Sequence, residues 1–245
     1  GVSMSIKDHP EFGQTRSRED GMFDMAVNGG GWLTLNYSKQ DYLPIQRKVD
    51  VPWQDYAWAE DAVMIALDSR VTTIDMNSTA PFQIAQGSPV IDTDGTRQAT
   101  LLFPQGTQAT MMMPSGSTQP LSSLNVRATE YTVGDNGPQA MPGELPANSA
   151  YTYALELSAD EAIATGATRI NFNQPVPFYV DNFLNFPVGE IVPSGWYDRD
   201  KAAWIPSDNG HVIKILSING GIAEIDIDGS GMAADAVALA SLGIT

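Results

Sequence analysis

The chain has no cysteine, only two histidines, and 13 Lys and Arg against 29 Asp and Glu in its 245 residues. Without cysteine there is no disulfide, no thiolate metal site and no cysteine nucleophile, and the redox compartment stays open. His9 and His211 stand most of the chain apart and beside no nucleophile motif, so each reads as a surface or turn residue rather than a metal ligand or a catalytic base. A formal charge of -16 repels a phosphate backbone and argues against nucleic acid as a partner. No apolar run approaches the roughly 18 to 20 residues of a membrane-spanning helix, so the expectation is a chain that is not membrane-spanning. The opening Gly1 to Ile6 alternates like a strand and lacks the basic start and apolar stretch of a secretory signal, which places any export signal upstream.

What the sequence does have is 22 Gly, 16 Pro and 42% apolar residues spread in short runs, which suits many short strands better than long helices. Its length allows one large or two ordinary domains, and two is the preferred reading. Candidate strands in the first part are Val2 to Ile6, Met22 to Val27, Trp32 to Tyr37 and Ile45 to Val51. They are bounded by Asp20-Gly21 and by Asn28-Gly29-Gly30-Gly31, turn signals in which glycine accepts positive φ. Between Trp32 and Tyr37, period-2 alternation sets Trp32, Thr34 and Asn36 on one face and Leu33, Leu35 and Tyr37 on the other.

On Arg18 to Met25, the glycine turn, Leu33-Thr34-Leu35 and Asp41-Tyr42-Leu43-Pro44, the first 60 or so residues resemble carboxypeptidase regulatory-like domains, which implies a transthyretin-like sandwich. Asp41 departs from the family's usual glycine; if its turn needs positive φ, Asp fits it less well. Val49 to Tyr56, with Pro52-Trp53, followed by Ala62 to Leu67, resembles the end of the transthyretin-like domain of teneurins and of bacterial Rhs or YD-repeat proteins. That resemblance implies a chain preceding a YD-repeat shell, in a secreted or bacterial cell-surface protein.

A second set of strands is expected at Val71 to Asp75, Gln98 to Phe103, Ala109 to Met113, Leu124 to Thr132, Tyr151 to Ser158 and Arg169 to Phe172. Asp92-Thr93-Asp94-Gly95-Thr96 and Asp208-Asn209-Gly210 read as turns joining strands, so pairing is expected to be antiparallel and local. Gly134 to Asn148, polar and proline-spaced, reads as a long surface loop, and Asp160 to Gly166 as a helical turn or a loop. Aromatics crowd between Phe172 and Trp204 among prolines, the pattern of bulged or edge strands.

The sharpest local signal is Asp226-Ile227-Asp228-Gly229-Ser230-Gly231-Met232 followed by Asp235, which is similar to a dockerin or thrombospondin type-3 calcium loop. Calcium takes six to eight hard oxygens, and Asp226, Asp228, Ser230, the Met232 carbonyl and Asp235 would supply part of that set. The bidentate acid of an EF-hand is missing, since Val237 stands at the twelfth position. The competing reading is an Asp-Gly turn followed by a short capped helix.

Ser115-Gly116-Ser117 and Ser194-Gly195 lack the strand-to-helix elbow of a hydrolase. The paired acids Asp160-Glu161, and Glu130 with Asp135, read as solvated surface rather than as a glycosidase pair. Trp53, Tyr56 and Trp58 offer flat rings for a sugar face, and compete with the reading that such rings cover a core or a joint. Met111-Met112-Met113 reads as part of a strand.

Taken together these readings predict an all-β chain: a transthyretin-like β-sandwich over 1–70, a second, larger antiparallel β domain over 71–218 that resembles a fibronectin-plug region, and a calcium loop with a short helix over 219–245. The expected function is non-catalytic, that of a structural and interaction module in adhesion or toxin delivery. Its partners are the rest of the same polypeptide, with protein or glycan as further candidates. A carbohydrate-binding accessory domain is the alternative, and a glycan-acting hydrolase a weaker one. Both ends of the chain read as cut from a longer sequence.

Overall fold

The computed structural model describes residues 1–133, 137–147, 149 and 151–244. Alternating sequence becomes antiparallel sheet almost throughout. Among the described residues the longest helices, α2 (Asp160–Thr165) and α3 (Ala236–Ser241), span six residues each, and α1 (Gly137–Ala140) spans four.

The first sheet has the order β2-β1-β3-β4, from β1 (Ser3–Ile6), β2 (Gln14–Arg16), β3 (Gly31–Ser38) and β4 (Ile45–Val51). Leu35 and Tyr37 of β3 are buried with Met4, Ile6 and Ile45, while Trp32 points to solvent, as the alternation predicts. Met22 to Val27 and Ala62 to Leu67 form no strand; within the latter, only Ala66 makes an isolated bridge to Tyr42. Their apolar residues still serve the core, because Phe23, Met25, Val27, Ala62 and Met64 pack against it. Hydrophobic alternation reports which face is covered; it does not say that a neighbour offers its ladder.

The second group of strands is β5 (Thr72–Asp75), β6 (Phe82–Gln86), β7 (Val90–Asp92), β8 (Gly95–Arg97), β9 (Ala99–Pro104), β10 (Ala109–Met112), β11 (Thr118–Leu121), β12 (Ser123–Glu130), β13 (Leu155–Ala159), β14 (Arg169–Phe172) and β15 (Phe178–Val180). They pair antiparallel as β13-β12-β5, β15-β9-β6, β11-β10-β14 and the hairpin β7-β8. Ile74, Leu124, Val126, Ala128 and Ala159 from the first of these sheets share one core with Ala85, Ala99, Leu101 and Phe103 from the second. The expectation of local pairing is corrected here. Leu124 lies opposite Ile74, and Leu101 opposite Phe178, so these ladders join strands distant in sequence. Turn signals identify hairpins such as Asp92 to Gly95 but carry no information about remote partners.

A second correction concerns the segment expected as a surface loop. Residues 134–136 and 148 lie outside the described residues, but Ala140, Met141, Pro142 and Gly143 are buried. The segment docks against the first sheet: Gln46 N donates to Pro142 O at 2.7 Å, Val63 N donates to Gln139 O at 3.0 Å, and the Arg47 guanidinium donates to the carbonyls of Gln139 and Met141. Its spaced prolines leave room for the short α1 and do not prevent burial, since the carbonyls of Gln139, Met141 and Pro142 find donors on β4.

By its contacts the chain divides into two compact units, Gly1–Asp181 with Arg199–Ala203, and Asn182–Asp198 with Trp204–Thr245. Residue 70 falls inside the first unit and residue 218 inside the second. The second unit is built from two-stranded pairs: β16 (Ile191–Val192) with β19 (Gly210–His211), β17 (Gly195–Asp198) with β18 (Ala203–Pro206), and β20 (Lys214–Asn219) with β21 (Ile222–Asp226). Gly210 pairs with Val192 rather than back onto the strand before the Asp208-Asn209-Gly210 turn, so that turn links two strands without making them a hairpin.

Candidate functional site

The segment that follows β4, together with Trp32 near the start of β3, carries the most exposed aromatic residues of the first unit. The turn before Trp32 is held by Gly30 N donating to Val51 O, and it demands glycine: a Cβ on Gly29 would lie 2.2 Å from the Pro52 carbonyl oxygen. A Cβ on Gly30 would lie 3.8 Å from Cε3 of Trp53, so Trp53 sits beside the turn that leads into Trp32. Trp32 is 70% exposed, Trp53 68%, Tyr56 97% and Trp58 79%. Among the described residues these rings belong to neither core. Just after Trp58, Ala59, Ala62 and Met64 pack inward on the first core, which anchors the C-terminal side of the segment.

The acids of the second β region are tied into structural pairs. Arg97, 1% exposed, donates to both oxygens of Asp92 at 2.7 and 2.8 Å and to Glu130 at 2.7 Å. The guanidinium holds the Asp92 carboxyl below the usual carboxylate range, and the two carboxylates push the Arg97 pKa up. Arg127 pairs with Asp160 through two hydrogen bonds, and Glu161 accepts from the backbone and side chain of Asn125. A cavity of about 170 Å³ has Asp68 and Glu130 in its lining. Asp68 accepts from the backbone and hydroxyl of Ser88, and Glu130 from Arg97 and Thr132. Asp135 lies outside the described residues.

Polar contacts also tie β4 to the second β region. Gln46 donates to Asn36 and to the Arg199 carbonyl, while the Arg199 guanidinium grips both oxygens of Glu156 at 3.0 and 2.8 Å. Tyr131 donates its hydroxyl to Glu156, and burial raises its pKa. Sequence reasoning missed Gln46, Arg47, Arg97 and Arg199. Lone polar residues in alternating segments give no sign that they are buried, although an Arg in a chain with so few cations was the available clue.

In the second unit, the carboxylate of Asp226 is buried and accepts the backbone N–H groups of Asp228, Gly229 and Gly231 at 3.1, 2.9 and 2.9 Å. The Ser230 side chain, and then the Ser230 N–H that donates to Asp228, lower the Asp228 pKa. Asp235 caps α3 by accepting from Ala238 N at 2.8 Å. Ser230 and Met232 are exposed. Thus Asp226, Asp228 and Asp235 each serve backbone donors, and among the described residues no group of three or more His, Cys, Asp or Glu is placed to share a metal ion. His9 stacks on Phe12 and meets Glu11, and His211 lies on β19 opposite Ile191.

Comparison with known proteins now bears on the first module. Residues 1–64 match the teneurin TTR-like domain. Teneurin-3 of Danio rerio is 34% identical over 77 residues, 31% of this chain and 3% of that protein. Teneurin-1 of Gallus gallus is 29% identical over 135 residues, 54% of this chain and 5% of that protein. Teneurin-m of Drosophila melanogaster is 42% identical over 52 residues, 21% of this chain and 2% of that protein. The matches thus span 2 to 5% of the length of these teneurins. They support a teneurin-like, transthyretin-like N-terminal module. They carry neither the carboxypeptidase regulatory name nor the Rhs name, and as animal proteins they lend no support to a bacterial source.

Proposed function

We propose that this chain is a non-catalytic structural and interaction module of a large secreted or cell-surface protein of the teneurin kind, and that its docking surface is the aromatic segment from Trp53 to Trp58 with Trp32 beside it. The observation that carries the reading is the exposure of those four rings on the module whose sequence matches the teneurin TTR-like domain. Soluble proteins rarely leave such a concentration of large aromatic side chains in water without a partner. The engagement of both carboxylate oxygens of Asp68, Asp160 and Glu161 by donors supports a non-catalytic role, because a glycosidase acid needs an oxygen free to carry a proton.

A second reading, a carbohydrate-binding accessory module, is favoured by the same exposure, since open indole rings match a pyranose face. Docking onto a YD-repeat shell would instead make the rest of the same polypeptide the occupant of this surface. Adhesion of beads coated with the chain to cells tests the interaction reading. The wild type should adhere and Trp53→Ala/Tyr56→Ala/Trp58→Ala should not; equal adhesion by both would place the interaction elsewhere.

A further inference from the structure

Resting on the interaction-module reading, we infer that the aromatic segment takes an arginine- or lysine-bearing stretch of a separate partner protein. The four exposed rings are interleaved with acids: Asp50, Asp55, Glu60 and Asp61 are all exposed, and no Lys or Arg occurs from residue 49 to residue 69. Asp50 lies opposite Trp32 in the β3–β4 register, so ring and carboxylate share the end of the sheet. Asp55 accepts from Tyr56 N through one oxygen, and Asp50, Glu60 and Asp61 form no salt bridge among the described residues. Carboxylate and ring thus share the sheet end at Asp50 and Trp32, and Asp55, Glu60 and Asp61 lie within three residues of Tyr56 or Trp58 along the chain.

That combination selects a cation with an apolar stem. A guanidinium or ammonium over an indole or phenol ring gains cation–π attraction, its methylenes cover ring surface, and its charge meets a neighbouring carboxylate. Neutral sugar would use the rings and leave the acids without a role. An anionic membrane surface or a second copy of this chain, which carries a net charge of -16, would be repelled. Arginine should be preferred to lysine, because its planar, weakly hydrated head stacks on rings and forks onto carboxylates.

Calorimetry and tryptophan fluorescence with an oligo-arginine peptide, on the chain used above, test the inference. Trp53→Ala/Tyr56→Ala/Trp58→Ala removes rings alone, and Asp55→Asn/Glu60→Gln/Asp61→Asn removes charge alone. Asp94→Asn/Glu144→Gln/Asp208→Asn makes the same change in net charge at exposed positions elsewhere. The expected result is a loss of affinity of about tenfold or more in each of the first two, little change in the third, and weaker binding of oligo-lysine. Equal weakening by the second and third variants with no effect of the first would overturn the proposal, reducing the binding to general acidity. Ring-dependent binding of neutral oligosaccharides or of anionic vesicles, with none of oligo-arginine, would also overturn it while leaving ring-dependent bead adhesion, and with it the interaction reading, standing.

Discussion

Asp41 carries a backbone angle that the sequence comparison anticipated. Its φ is 64°, in the left-handed region where glycine has no penalty and Asp a modest one, and its carbonyl accepts from Leu67 N at 2.9 Å. Asp41→Gly should therefore raise stability by about 0.5 to 1 kcal/mol, read from denaturant melts, partly offset by the greater freedom of glycine in the unfolded chain. A loss of stability would mean that the Asp side chain does something its backbone angle does not reveal. Arg97 is the opposite case, a residue whose alternating sequence context hides its burial. Arg97→Met leaves Glu130 and Asp92 facing each other without their cation and should cost about 3 kcal/mol. The pH dependence follows from Asp92, whose folded pKa is lowered, chiefly by its hydrogen bonds with Arg97. Its contribution is full above the unfolded carboxyl value near about 3.9 and is lost as pH falls through the lower folded value. Stability measured below about pH 4 should fall less steeply in Arg97→Met than in wild type.

At the scale of elements, the loop after β21 shows how a calcium-like spelling can serve a fold. Alternating Asp and Gly place one carboxylate under several backbone N–H groups, and the same letters would be needed to surround a cation. Because Asp226 already accepts three backbone donors, Asp226→Ala should lower stability by about 1 to 3 kcal/mol in chelator as well as in calcium. Thermal melts under both conditions decide between the two readings, and a loss confined to calcium would favour the metal one. The bounds of Ile45–Val51 and Arg169–Phe172 were legible to the residue, but their burial was not, since Ile45, Gln46 and Arg47 are buried in succession. Met22 to Val27 alternates, and yet forms no strand. The docking of 139–143 was invisible for a related reason: its donors, Gln46 and Arg47, lie some ninety residues earlier on a strand that reads as ordinary.

For the molecule as a whole, the all-β class and the transthyretin-like first module could be read from turn spacing and from the Val49 to Leu67 stretch, while the way the modules join could not. The first module shares one compact unit with the sheets that follow, tied by the Arg47 and Gln46 bonds, so it is not a bead on a flexible string. Its exposed rings were legible as candidates, yet exposure itself is a tertiary property: Leu35 and Trp32 stand three positions apart on one strand and differ only in which side the core lies. The central claim is that Trp53, Tyr56 and Trp58 are kept open for a separate partner. Hydroxyl-radical footprinting with mass spectrometry, run on the isolated chain and on the protein purified from its natural source, measures this directly. The account predicts the same strong oxidation at these three residues in both samples; protection in the natural protein alone would contradict it and assign the surface to an internal joint.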